Sequence, residues 1–207
     1  MMRDHFQSRI FNLNRQRKIA VVLALLVWLT GCAGNQAEKI ENRPVKPAIA
    51  LTSEARADFE KAMVFIKAEE YEKGIELLNK VVKVSQNYAA PYINLALAYK
   101  KLGKLKLAEE NLKLALNAEP ENPVAGNEYA LLYRKTGRFA EARQLYEKTL
   151  EKYPNFKMAH KNLGILCDLY IKDYECALKH YVFYSNVTQD DKTVKIWIAD
   201  LQKRLGK

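Results

Sequence analysis

Residues 89–122 read AAPYINLALAYKKLGKLKLAEENLKLALNAEPEN, and residues 123–156 read PVAGNEYALLYRKTGRFAEARQLYEKTLEKYPNF. Laid over one another without a gap, they agree where side-chain size matters most. Ala96 falls on Ala130, Tyr99 on Tyr133, Gly103 on Gly137, Ala108 on Ala142, Leu112 on Tyr146 and Pro120 on Pro154. Apolar residues recur at helical spacing on both sides of each central glycine, which predicts two amphipathic helices joined by a short turn. The glycine ends the first helix by admitting positive φ, and the proline stops the second. Small residues at the helix contact let the backbones approach, and the aromatics fill the wedge between pairs.

The register continues in both directions. Residues 55–88 place Ala62, Phe65, Tyr71 and Leu78 correctly, with Gly74 for the second alanine and Gln86 for the closing proline. Residues 157–191 place Leu163, Gly164, Ala177 and Tyr181. There Cys167 replaces the aromatic, and one extra residue, Ile171 or a neighbour, falls in the turn. A helix–turn–helix unit of this period resembles the tetratricopeptide repeat. The resemblance implies an all-α fold: a right-handed superhelical solenoid of about four helix pairs (55–88, 89–122, 123–156 and 157–191, together 55–191). One pair cannot bury its own apolar face, so the stack needs a lid. Residues 192–207 supply a capping helix, with Val194, Trp197, Ile198, Leu201 and Leu205 at helical spacing and Asp190 or Asp191 to cap its start.

Ahead of the repeats the chain changes character. Residues 19–29 (IAVVLALLVWL) carry no charge and follow Arg3, Arg9, Arg15, Arg17 and Lys18. Eleven apolar residues are too few for a bilayer span, which needs about 20, and the pattern is that of an export signal. It ends in Leu29-Thr30-Gly31-Cys32, which resembles the lipobox of bacterial lipoproteins. The resemblance implies that residues 1–31 are a signal peptide and that Cys32 carries a covalent lipid, a diacylglycerol on sulfur and an N-acyl chain. Two or three acyl chains anchor stably where one does not. Ala33 rather than Asp after Cys32 resembles lipoproteins sent to the outer membrane, facing the periplasm. Residues 32–54 then form the lipidated start and a tether, since Pro44 and Pro47 interrupt a stretch with no apolar period.

The whole chain of 207 residues is 49% hydrophobic and 28% charged, with 8 Gly and 6 Pro, which excludes a disordered or collagen-like chain. Its formal charge is +10, but residues 32–207 hold 29 basic and 23 acidic side chains, or +6. That balance does not argue for nucleic acid. We find no nucleophile–base pair, phosphate loop or metal-ligand spacing, so no catalytic or metal site, no other cofactor and no small-molecule substrate are expected. His160 and His180 read as packing residues. Glu69/Glu70 and Glu109/Glu110 read as solvated faces or turns. Cys167 and Cys176 sit at the two ends of a predicted turn, and either a disulfide or two buried thiols fits that placement.

Proteins with this repeat bind peptides on the concave face lined by their first helices. The register puts Phe59, Met63, Ile66, Ile93, Asn94, Leu97, Lys101, Asn127, Leu131, Arg134, Lys161 and Ile165 there, an apolar floor with a basic rim. The ninth position of each repeat is apolar, so a carboxylate clamp is not supported. The expected partner is another envelope protein or peptide, with the membrane engaged through the lipid. The architecture resembles the pilotins of type IV pilus secretins. An accessory to an energy-transducing inner-membrane complex or an outer-membrane assembly machine is the alternative.

Overall fold

The computed structural model describes residues 51–188 and 191–207, all within one compact unit. The signal segment, Cys32, the tether up to residue 50 and the cap candidate Asp190 lie outside the described residues. Among the described residues there are nine α-helices and no strand: α1 (Ser53–Lys67), α2 (Tyr71–Val84), α3 (Ala89–Lys101), α4 (Leu105–Ala118), α5 (Pro123–Lys135), α6 (Phe139–Lys152), α7 (Lys157–Ile165), α8 (Tyr174–Thr188) and α9 (Lys192–Arg204). The first eight pack as four consecutive pairs, each pair against the next, and α9 packs on α8.

Each pair is held at one close contact. Ala62 meets the Gly74 helix, and Ala96/Ala108 and Ala130/Ala142 occupy the same places further on, all of them buried. In the fourth pair the first-helix residue is Gly164. A Cβ there would stand 2.5 Å from Cδ1 of Tyr181, the ring that fills the place of Leu78 and Leu112. The Gly makes room for the ring in the position that Tyr181 adopts here.

The turns share one left-handed residue. Gly103 and Gly137 have φ of 72° and 78°, and Glu69, one period earlier, adopts 62°. In each, the residue after it donates its N–H to the carbonyl five back: Glu70 to Phe65, Lys104 to Tyr99 and Arg138 to Tyr133. In the fourth pair the left-handed residue is Lys172, with φ 63°, and Asp173 donates to Cys167, six back. The extra residue expected in the turn is thus not in the turn. It is taken up in the helix before it, as a π-helical stretch over Leu166–Ile171 that lengthens the first helix by one residue while preserving the closure.

Second helices end where their residue preceding proline must be extended: Glu119 has φ −134° and Tyr153 −127°. Asn122 then caps α5, accepting from the N–H groups of Val124 and Ala125 at 3.1 and 3.0 Å, with Pro123 at the first helical position. Glu119 closes its own pair by accepting from the Ala89 N–H at 2.9 Å, which joins the end of α4 to the start of α3.

The two ends of the stack differ. Pro91, Tyr92, Leu95 and Ala98 are buried between repeats, as are Ala125, Gly126, Tyr129 and Leu132 one period on. The matching places on α1 are Ala57, Asp58, Lys61 and Val64, none of them buried. That outer face alternates the polar Asp58 and Lys61 with the exposed Ala57 and Val64. At the other end α9 buries Val194 and Leu201 against the fourth pair and sets Trp197 5.2 Å from Tyr181. Asp191 caps it, accepting from the Val194 N–H at 3.2 Å.

Two substitutions separate the roles of glycine. Gly137→Ala should cost about 1 kcal/mol, because a Cβ is strained at φ 78° although nothing crowds it. Gly164→Ala should cost about 1–3 kcal/mol by overpacking against Tyr181, and only the latter should recover in combination with Tyr181→Leu. Urea denaturation of the four variants measures both.

Candidate functional site: the face lined by the first helices

Helices α1, α3, α5 and α7 are the first members of the four pairs, and α3 touches α5 as α5 touches α7. Their shared face carries the residues that the repeat register selects. The structure divides those residues into three groups.

The first group stays available. Phe59, Met63, Ile66, Leu97, Leu131 and Ile165 are half-buried, apolar and repeated along the face. Ile66, Leu97 and Leu131 line one open cleft of about 500 Å³, with Ala98, Lys67, Glu69, Tyr71, Lys100, Lys101 and Glu128 around them. Asn94 is half-buried and donates its side-chain N–H to the Ala90 carbonyl at 2.9 Å.

The second group is consumed between helices. Ile93 and Asn127, expected on the floor, are 6% and 4% exposed and pack inside the stack. Asn127 accepts from Asn162 at 3.0 Å across the α5–α7 contact. The reason is period: a residue at the fifth position of one repeat faces the sixth position of the next.

The third group corrects the expected basic rim. Arg134 donates to the Asn162 carbonyl at 3.2 Å. Lys161 pairs with Asp191 at 2.7 Å and lies over the Tyr184 ring. Lys100, the neighbour of Lys101, pairs with Glu128 of the next repeat at 2.6 Å, both side chains under 20% exposed. Arg134 and Lys100 bolt one repeat to the next, and Lys161 bolts the last repeat to its lid. Lys101 and Lys135 remain exposed.

Glu109 is likewise not a free surface acid. Burial would raise its carboxyl, but hydrogen bonds from Arg138, Lys113 and Tyr129 outweigh that and hold it below the usual carboxylate range. Arg138 reaches it at 3.0 Å, and this contact again joins successive repeats.

Two clusters lie away from this face. Cys167 and Cys176 are disulfide-bonded, with Cα atoms 5.9 Å apart. The bond spans the π-helical stretch and the left-handed Lys172, so it staples the one irregular turn. His160 and His180, twenty residues apart, meet with Nδ1 atoms at 2.9 Å. The Pro154 carbonyl lies 2.9 Å from His160 Nε2 and can only accept, so Nε2 carries the proton. His160 Nδ1 is then the acceptor and His180 Nδ1–H the donor. The His160 ring stacks on Phe183 at 3.8 Å. Sequence spacing could not find this pair, because it forms across two helices. No group of three or more His, Cys, Asp or Glu side chains converges as a metal site among the described residues.

Burial is the main cause that lowers both imidazoles. His180 is also repelled by His160 and Lys179, and falls to about 4. An unfolded histidine titrates near 6.5, so as pH falls the unfolded chain takes up the proton first. The stabilisation is therefore complete above about pH 6.5 and is lost as pH falls toward about 4, about 3 kcal/mol for His180. Urea midpoints at stepped pH should show this acid limb, and His180→Gln should shrink it. Unreduced protein should show no free thiol at Cys167 or Cys176. Replacing both with Ser should cost about 2–3 kcal/mol for a loop this short.

Comparison with known proteins accords with this geometry. Residues 102–163 match the family model described as tetratricopeptide repeat. The sol locus transcriptional repressor of Clostridium acetobutylicum is 31% identical over 118 residues, which cover 54% of this chain and 37% of that one. The type IV pilus assembly protein PilF of Pseudomonas aeruginosa is 23% identical over 189 residues, 89% of this chain and 72% of that one. The chain thus spans little more than a third of the repressor and nearly three quarters of PilF. The PilF structure superposes with a TM-score of 0.66 at 21% identity, over 72% of this chain and 68% of that one. MamA of Desulfovibrio magneticus RS-1 gives 0.64 at 15% identity, over 76% and 88%. The fold is a tetratricopeptide-repeat solenoid, an architecture that binds proteins and peptides.

Proposed function

We propose that this repeat protein is a lipid-anchored adaptor of the bacterial envelope that holds a partner protein on its first-helix face, in the manner of a type IV pilus pilotin. The observation that carries the reading is the pairing pattern on that face. Arg134, Lys161, Asn127 and Asn162 are spent on contacts between repeats, and what faces outward is apolar: Ile66, Leu97, Leu131 and Ile165. An apolar floor whose neighbouring polar groups are mostly bonded within the solenoid gains by burying apolar area, at roughly 25 cal/mol per Å².

Two further facts support the envelope setting. Leu29-Thr30-Gly31-Cys32 follows an uncharged apolar run, which suits lipid attachment at Cys32 and an outer-membrane, periplasm-facing address. The Cys167–Cys176 bond suits an oxidising compartment. Similarity to PilF over 89% of the chain favours pilus assembly among envelope roles. The role needs no catalysis, since an adaptor works by binding alone. In this reading the anchor carries a secretin subunit to the outer membrane, and the solenoid grips it on the way.

Three measurements test the proposal. With the gene deleted, secretin multimers should be depleted from the outer-membrane fraction; normal multimers there would refute the pilotin role. Leu97→Glu with Leu131→Glu should leave the helical content intact and remove the partner from an envelope crosslinking pull-down. Cys32→Ser should abolish labelling by a radioactive fatty acid, and persistent labelling would refute lipidation at that residue.

A further inference from the structure

Lys100, Arg134 and Lys161 on the first helices are held by a partner inside the molecule, whereas four lysines at the ends of α3 and α5 and in the turn into α4 have no ion pair among the described residues. Lys101 and Lys135 hold the same position in successive repeats, at the ends of α3 and α5. Lys104 and Lys106 follow Lys101 across the turn into α4. All four are exposed, and no ion pair is found for any of them among the described residues. Glu69 and Lys67, both exposed on the cleft wall, offset one another in charge, and the carboxylates of α4, α5 and α6 are mostly taken. Glu128 holds Lys100, Glu109 holds Arg138 and Lys113, and Glu141 holds Arg138. Glu110, one turn along α4 from Lys106, is the exposed acid nearest in sequence.

The local backbone adds to this positive field. The starts of α2, α6 and α8 carry Glu72, Glu141 and Glu175 in the first turn, whereas α4 has no acid there and no side-chain cap. Its free N–H groups and the positive end of its dipole therefore add to the lysine charges. Lys101 belongs at once to this edge and to the wall of the cleft floored by Ile66, Leu97 and Leu131. The apolar floor thus runs directly into an unneutralised basic edge.

We propose that the cleft takes a partner segment with apolar side chains followed by a run of carboxylates. The apolar part sits on Ile66, Leu97 and Leu131, and the acidic part lies along Lys101, Lys104, Lys106 and Lys135. This rests on the binding-face reading above and adds to it a polarity and a partner chemistry. It differs from a carboxylate clamp, because its cations come from the turns and helix ends rather than from the fifth and ninth positions, which are apolar or already bonded. Exposed ion pairs are individually weak, so the acidic run acts mainly through several at once and is screened by salt.

The test uses the full chain in non-ionic detergent and two synthetic peptides with one shared Leu/Ala/Val core. One core is followed by four Asp and Glu residues, the other by four Lys. By fluorescence anisotropy the acidic peptide should bind about tenfold more tightly at low salt, and the difference should shrink as salt rises. A chain with Lys101, Lys104, Lys106 and Lys135 all changed to Glu should reverse the preference. If both peptides bind equally and Leu97→Glu/Leu131→Glu abolishes both, the binding face stands and the acidic-run inference falls. If neither peptide saturates, both readings fall. A lipid origin for the basic edge is tested by amine labelling in reconstituted vesicles. Protection of Lys104 and Lys106 that appears with phosphatidylglycerol, is absent with phosphatidylcholine, and is not displaced by the acidic peptide would assign the edge to the membrane and overturn the inference.

Discussion

The architecture depends on how closely two helix backbones approach within a pair. That approach is set by Ala62, Ala96, Ala130 and Gly164 on first helices and by Gly74, Ala108, Ala142 and Ala177 on second helices, all buried. A larger side chain at any of them would push the pair apart, and the aromatic and leucine side chains around it would lose contact. Everything else is placed relative to those contacts: the wedge residues Leu78, Leu112, Tyr146 and Tyr181, and the face that the first helices present. Residue volume, more than hydrophobicity, therefore determines the geometry of the binding face.

A second layer of interaction joins one pair to the next, and it is polar. Lys100 with Glu128, Arg138 with Glu109, Arg143 with Asp173 and Lys161 with Asp191 each link neighbouring repeats or the last repeat to the cap. Each pair is only partly desolvated and modest alone. Together they fix the register between units whose apolar surfaces could otherwise slide. They also remove charge from the face that a partner would meet, so solenoid rigidity and the apolar character of the face share a cause.

The fourth pair departs most from the pattern, and its departures support one another. The π-helical stretch accommodates an extra residue, the disulfide staples it, and Asp173 caps the next helix by accepting from the Cys176 N–H at 3.1 Å. Gly164 makes room for Tyr181, which in turn meets Trp197 of the lid. This is the end of the stack, where a repeat must match a single capping helix instead of another copy of itself. The buried histidine pair lies in the same region and couples its stability to pH.

Much of this was legible in residue order. The small–aromatic–glycine–proline period sets helix length, turn position and stacking, because each of those residues has a local steric consequence that no tertiary context reverses. The lid followed from Val194 and Leu201 at helical spacing, and the apolar floor from Leu97 and Leu131. Tertiary structure alone decided which polar side chains are spent on contacts between repeats. Lys100, Arg134 and Asn127 look in sequence like Lys101, Lys135 and Asn94, but a partner one repeat away holds the first three, and that partner is placed by packing, not by spacing along the chain. The same holds for His160 and His180, and for the extra residue that entered a helix instead of its turn. Local sterics act on neighbours in sequence, whereas charges and hydrogen bonds are settled by whatever the fold brings within reach.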